Sequence, residues 1–194
     1  MRNSKTKGFT LIELIVVIAI IGILAAILVP SMLGYVRNAR ISSANSGAKQ
    51  IHTACASALT QLGIANWSWA GTPPTEGYLT IDTTAKATQN GVIQVAWAGV
   101  SKTPKNEDVD LAAYLGEEFT GYGRAFFNPG TYSVSVAVYA TTKQGWDVIS
   151  KQTTSADVKK ITEGQQKSDA KAGNIYGVYP APSLGEGNTA TPSK

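Results

Sequence analysis

The chain has 194 residues, one cysteine and one histidine, is 43% hydrophobic, and carries a formal net charge of +4. A lone cysteine excludes an intrachain disulfide. With a single histidine beside it, a zinc cluster and the ordinary Cys–His and Ser–His–Asp constellations are excluded too. Three of the basic residues, Arg2, Lys5 and Lys7, fall in the first eight positions, so the remaining side chains sum to about +1. The body shows no basic run interleaved with aromatics, and the high isoelectric point therefore gives no reason to expect nucleic-acid binding.

Residues 9–29 form an apolar run in which Glu13 is the only charge. As a helix the run spans ~31 Å at 1.5 Å per residue, which matches a hydrocarbon core of about 30 Å. A charge in a membrane span costs at least ~2.5–3.5 kcal/mol, so Glu13 is expected to have a partner. Lys and Arg lie only on the N-terminal side of the run. That places residues 1–8 in the cytoplasm and the body outside. An ordinary secretory signal peptide fits less well, because Ala25-Ala26 is a poor small-residue cleavage site and a glutamate inside the apolar region is unusual. Pro30 removes a helical donor, and Gly22 and Gly34 weaken the helix. Local bending is expected over residues 22–34.

The stretch Lys7-Gly8-Phe9-Thr10-Leu11-Ile12-Glu13 resembles the class III signal sequence of type IV pilins and pseudopilins, and Pro30 and Tyr35-Val36-Arg37 are similar to that family as well. The resemblance covers roughly residues 5–35. It implies that a prepilin peptidase cuts between Gly8 and Phe9 and methylates the new amine of Phe9. It also implies that the amine of a neighbouring Phe9 pairs with Glu13 when helices pack side by side. Cleavage then acts as a gate, since an uncut chain has no free amine there. Glu13 protonated, or bonded within its own helix, is the plainer alternative.

Residues 31–62 continue with helical spacing. Ala44, Ala48, Ile51, Cys55, Ala58 and Leu62 recur at intervals of three and four, and Leu59 widens the stripe. Gly63 is the expected C-cap. Cys55 reads as a small hydrophobe in that stripe, and His52 sits on its flank. Beyond the helix, residues 91–100 and 131–140 read as strands. In the second, Tyr132, Val134, Val136 and Val138 alternate with Ser133, Ser135, Ala137 and Tyr139. Residues 145–150 follow a Thr-Lys-Gln-Gly turn and are expected to complete a hairpin. Residues 108–115 suit a short helix capped by Asn106 or Asp108. Residues 174–180 suit one more strand, and 155–170 a surface helix or a long loop.

The expected architecture is α+β, with a long N-terminal helix packed on a small antiparallel sheet of three or four strands. It divides into a leader (1–8), a membrane-spanning or filament-core helix (9–30), an amphipathic continuation (31–62), a β-rich domain (63–180) and a flexible tail (181–194).

Chemistry is sparse in this body. Two S-x-x-K matches, at Ser46 and Ser168, lack companion motifs. Gly121-Tyr122-Gly123 reads as a turn without the rest of a dinucleotide fingerprint. No enzyme and no cofactor are expected. Glu107, Asp108 and Asp110 are the densest acidic cluster and a candidate calcium site, or else plain helix N-terminal charge. Trp67 and Trp69, two apart in a loop-like stretch, are candidate glycan contacts, with burial as the alternative. Trp97 is expected in the core, and Asn66-Trp67-Ser68 matches the N-glycosylation pattern by coincidence.

The resemblance implies a pilin that partners the membrane before assembly, a prepilin peptidase, an assembly platform and further copies of itself in a helical surface filament. Its uses would be adhesion, motility or DNA uptake. The rivals are a type II secretion pseudopilin and a pilin-displayed adhesin for a polysaccharide or host surface.

Overall fold

The computed structural model describes residues 9–68, 75–83, 94–100, 102–105, 109–116 and 119–182. The chain divides into two compact units, one ending at Asn38 and one running from Ala39. Helix α1, Leu11–Ile64, contributes to both.

In the first unit, α1 is exposed along nearly its whole length. Pro30 lies inside the helix and cannot donate to the carbonyl four residues back. At the next residue, Ser31 Oγ donates to the Leu28 carbonyl at 2.9 Å.

In the second unit, α1 buries the predicted stripe of Ala44, Ala48, Ile51, Cys55, Ala58, Leu59 and Leu62, and adds Ile41 and Ala54. Gly63 is not the cap. It lies within the helix, and Asn66 takes the left-handed position with φ 52°. The Trp67 amide donates to the Leu62 carbonyl and the Asn66 amide to the Gly63 carbonyl, the paired bonds of a Schellman termination. Asn is among the few residues besides Gly that adopt this conformation readily.

The sheet has five antiparallel strands in the order β2-β1-β3-β4-β5: β1 Gly77–Asp82, β2 Gln94–Ala98, β3 Tyr122–Asn128, β4 Ser133–Ala140 and β5 Gly177–Tyr179. This exceeds the expected three or four because β1 and β3 are additional. The segment read as a Gly-Tyr-Gly turn is the start of β3. Gly123 faces α1, and a Cβ there would overlap the Ile51 side chain. The glycine therefore makes room for Ile51 within a strand.

Leu79, Ile81, Ala125, Phe127, Ala137 and Tyr139 pack with the α1 stripe. Phe126, Val136, Val138, Ala140 and Val178 pack on the other face against Ile149, Val158 and Ile161. A register shift between Phe126 and Phe127 breaks the simple alternation expected for β4. Val134 joins the α1 side, while Val136 and Val138 face away from it.

The second apolar face is covered by short helices, of which only those from residue 155 onward are among the alternatives read from the sequence. Residues 145–150 form no hairpin strand; 145–149 belong to α3, Lys143–Ile149, and Ser150 is its C-cap. Helix α4, Ser155–Lys159, and helix α5, Glu163–Lys171, occupy the stretch left between helix and loop. Each starts at a threonine whose hydroxyl accepts an amide three residues on: Thr142 from Gly145, Thr154 from Asp157 and Thr162 from Gln165. Helix α2, Leu111–Leu115, is shorter than predicted, and its proposed cap residues Asn106 and Asp108 lie outside the described residues, as do residues 91–93 and 183–194.

One side-chain hub ties the last strand to α1. Asn45 Oδ1 accepts from the Val178 amide at 2.9 Å and from Gln166 Nε2 at 3.1 Å. Gln166 is buried and also donates to the Tyr176 carbonyl.

Candidate functional site

The sequence that begins α1 is Thr10-Leu11-Ile12-Glu13, the pattern of a capping box. The geometry follows it. Glu13 Oε2 accepts from the Thr10 amide at 2.8 Å and from the Thr10 hydroxyl at 2.7 Å, while the Glu13 amide donates to Thr10 Oγ1 at 3.3 Å. The carboxylate thus has a partner within its own helix, the plainer of the two alternatives. Only one of its oxygens is used. Oε1 accepts nothing among the described residues, so it is open to a second donor.

Around this carboxylate the apolar surface is uncovered. Fifteen large apolar side chains between residues 9 and 29 are exposed, Phe9 by 77%. The helix is long and apolar enough to cross a membrane. At ~1.5 kcal/mol or more for each such side chain removed from water, leaving them exposed costs on the order of 20 kcal/mol. A bilayer or other copies of the helix must cover them. Gly8 lies outside the described residues.

The other residues singled out from sequence do not form a common site. Trp67 is half-buried against the core, with Lys102 over its ring at 4.1 Å and its carbonyl accepting the Tyr132 hydroxyl. Trp69 lies outside the described residues, as do Glu107 and Asp108; Asp110 is exposed. Among the described residues no group of three or more His, Cys, Asp or Glu is placed to hold a metal ion. Trp97 is half-buried, with Phe127 edge-on at 5.6 Å. Cys55 is fully buried, and burial pushes its thiol up, which leaves it unreactive.

His52 meets Tyr179 of β5 edge-on at 4.9 Å, and Lys49 lies 5.9 Å from the same ring. Burial holds the imidazole below its ordinary value of 6.5, outweighing a hydrogen bond with the Val134 backbone. The folded chain therefore resists a proton that the unfolded chain accepts. The His52 contribution is complete above pH ~6.5 and is lost as the pH falls through and below that value. The urea midpoint of the full chain is expected to be lower at pH 5.5 than at pH 7.5, with His52→Gln flattening the difference. Parallel pH profiles for the two proteins would contradict this.

Sequence reasoning missed Arg124, which lies on β3 under α3. Its Nη1 donates to the Ser150 and Gln152 carbonyls at 3.1 and 3.0 Å, and Tyr78, Trp146 and Phe126 surround the guanidinium. A lone arginine in a stretch flanked by aromatic residues was the available signal.

Comparison with known proteins returns to the N-terminus. Residues 3–29 match the model of the prokaryotic N-terminal methylation motif. The chain is 38% identical over 92 residues to the type IV major fimbrial protein FimA of Dichelobacter nodosus, covering 46% of this chain and 59% of that protein. It is 46% identical over 52 residues to the type IV major pilin protein PilA of Myxococcus xanthus, covering 27% of this chain and 24% of that protein. With a fimbrial protein of Neisseria meningitidis it shares 34% identity over 122 residues, 57% of this chain and 68% of the relative. The chain thus spans less than two thirds of the length of the first two relatives. No solved structure matches. A capping-box glutamate at the head of an uncovered apolar helix, a five-stranded antiparallel sheet packed on the helix's second half, and a match to two thirds of a known fimbrial protein together place the chain in the type IV pilin family.

Proposed function

We propose that the chain is the structural subunit of a type IV pilus. It is inserted in the cytoplasmic membrane with residues 1–8 in the cytoplasm, cut by a prepilin peptidase between Gly8 and Phe9, and methylated at Phe9. An assembly platform then polymerises it into a surface filament whose apolar core is made of residues 9–29 from many copies. Adhesion, motility and DNA uptake are uses that such a filament serves.

The observation that carries this reading is the half-used carboxylate of Glu13 at the head of an exposed apolar helix. Oε2 holds the chain's own cap, and Oε1 is left for the amine of a neighbouring Phe9. In apolar surroundings a carboxylate needs such a cation, and the amine exists only after cleavage. Pro30 removes one backbone hydrogen bond near the end of the apolar run, a weak point at which the helix can adjust as it leaves the bilayer.

Mass spectrometry of material sheared from the cell surface tests the reading. The expected species begins at methylated Phe9 and is abundant in the filament fraction. A chain still starting at Met1, or cut beyond Ala25, would remove the amine or the Glu13 helix and end the proposal. Retention of the processed chain in the cell envelope, with no surface fibre, would favour the secretion pseudopilin instead.

A further inference from the structure

We propose that the outer face of the sheet around Arg124 binds a carboxylate-bearing saccharide. Across that face, Tyr78, Thr80 and Asp82 of β1 stand in register between Ala98, Ala96 and Gln94 of β2 and Phe126, Arg124 and Tyr122 of β3. Helices α3 and α4 lie over β3 and β4. Toward β2, among the described residues, Ala96 is exposed, and Tyr78, Thr80, Ala98 and Arg124 are half-buried.

Arg124 is a half-desolvated cation held only by neutral acceptors. Nη1 is taken by the Ser150 and Gln152 carbonyls, and Nε reaches Thr80 Oγ1 at 3.4 Å. Among the described residues Nη2 has no partner and no carboxylate pairs with the guanidinium. Of the carboxylates along the border, Asp147 pairs with Lys143 at 2.8 Å. A guanidinium in this state is completed by an anionic oxygen on Nη2 through a charge-assisted bond.

The surroundings select the kind of molecule that carries the anion. Tyr78 and Trp146 stand 4.9 and 5.4 Å from the guanidinium, and Trp146 is braced by stacking on Tyr122. The two half-buried rings supply apolar surface, Thr80 carries a hydroxyl, and the side chains of Ala96 and Ala98 are small. Apolar surface for ring C–H groups, a hydroxyl partner and one cation suit an acidic sugar ring.

The test is calorimetric titration of the full chain in neutral detergent with oligogalacturonate and with its methyl ester, which masks only the carboxylate. The acid is expected to bind at least about tenfold more tightly than the ester, with an affinity that falls as salt rises. Arg124→Gln should abolish binding of the acid. Because that change also loosens the hold on Ser150 and Gln152, Ala96→Glu is the deciding variant: it sets a like charge at an exposed position away from the core and should weaken binding about tenfold. Equal binding of acid and ester, no binding of either, or Ala96→Glu titrating like the parent chain would overturn the proposal.

Discussion

Glu13→Gln is expected to reduce the filament recovered by shearing to background while leaving the chain inserted in the membrane at normal levels. The capping box gives the carboxylate two duties that this substitution separates. Glutamine serves at the same position of a capping box, so the bonds from Thr10 to Oε2 have a replacement and α1 keeps its start. The negative charge that would neutralise a neighbouring Phe9 amine is lost. An amine left unpaired in apolar surroundings costs about 3–5 kcal/mol when its partner is removed, and a helical polymer incurs that cost at every subunit. Glu13→Ala also removes the bonds from Thr10 to the side chain, while the residue-13 amide still donates to Thr10 Oγ1, so it should abolish filament and weaken the start of α1 as well. The measurement is an immunoblot of sheared and membrane fractions for the parent and both variants. If Glu13→Gln assembles like the parent, the charge is dispensable, and Glu13 is no more than a helix cap.

The N-terminal helix was legible because everything that specifies it is local. An unbroken apolar run, a capping pattern at positions 10 and 13, and a three–four stripe from Ala44 to Leu62 need no knowledge of the rest of the chain. The capping box is masked in the sequence by the apolar run around it, where Glu13 stands out as a charge in a membrane span before it stands out as the third residue of a helix.

The sheet was half legible for the opposite reason. In β1, Gly-Tyr-Leu-Thr-Ile-Asp carries only two core residues, Leu79 and Ile81, and β3 opens on glycines that look like a turn until Ile51 is seen lying against Gly123. The misassigned segment shows local signals in conflict. Val148 and Ile149 favour a strand, whereas the Thr142 cap and the Lys143–Asp147 pair favour a helix, and the apolar sheet face beneath settled the matter. Arg124 gave only a weak local signal because its contacts with Trp146, Ser150, Gln152, Thr80 and Tyr78 join residues 22 to 46 positions away in sequence.

Gly177→Ala should cost the second unit about 3 kcal/mol or more, at the upper end of what overpacking imposes. The reason is contact rather than backbone freedom. Gly177 is the first residue of β5 and pairs with Tyr139 of β4. A Cβ there would overlap the carbonyl of Ala44 and crowd the amide of Asn45. Those atoms are helix backbone and cannot rotate aside as a side chain would. Either α1 shifts away from the strand or β5 leaves its place, and each outcome disturbs the bonds from Asn45 to Val178 and Gln166, which would strand the buried Gln166 amide. Gly116→Ala is the comparison. Its φ of 79° is left-handed, but nothing lies within 4 Å of the added carbon, so the cost should be only about 1–2 kcal/mol of backbone strain. Thermal melts of the full chain in detergent would show the difference, with a drop of roughly 6–12 °C for Gly177→Ala against a few degrees for Gly116→Ala. Equal drops would mean that β5 does not sit against α1 as described. The outcome also bears on assembly, because a loosened β5 frees the only pairing edge of β4 not occupied by β3, and an open strand edge invites unspecific pairing between copies.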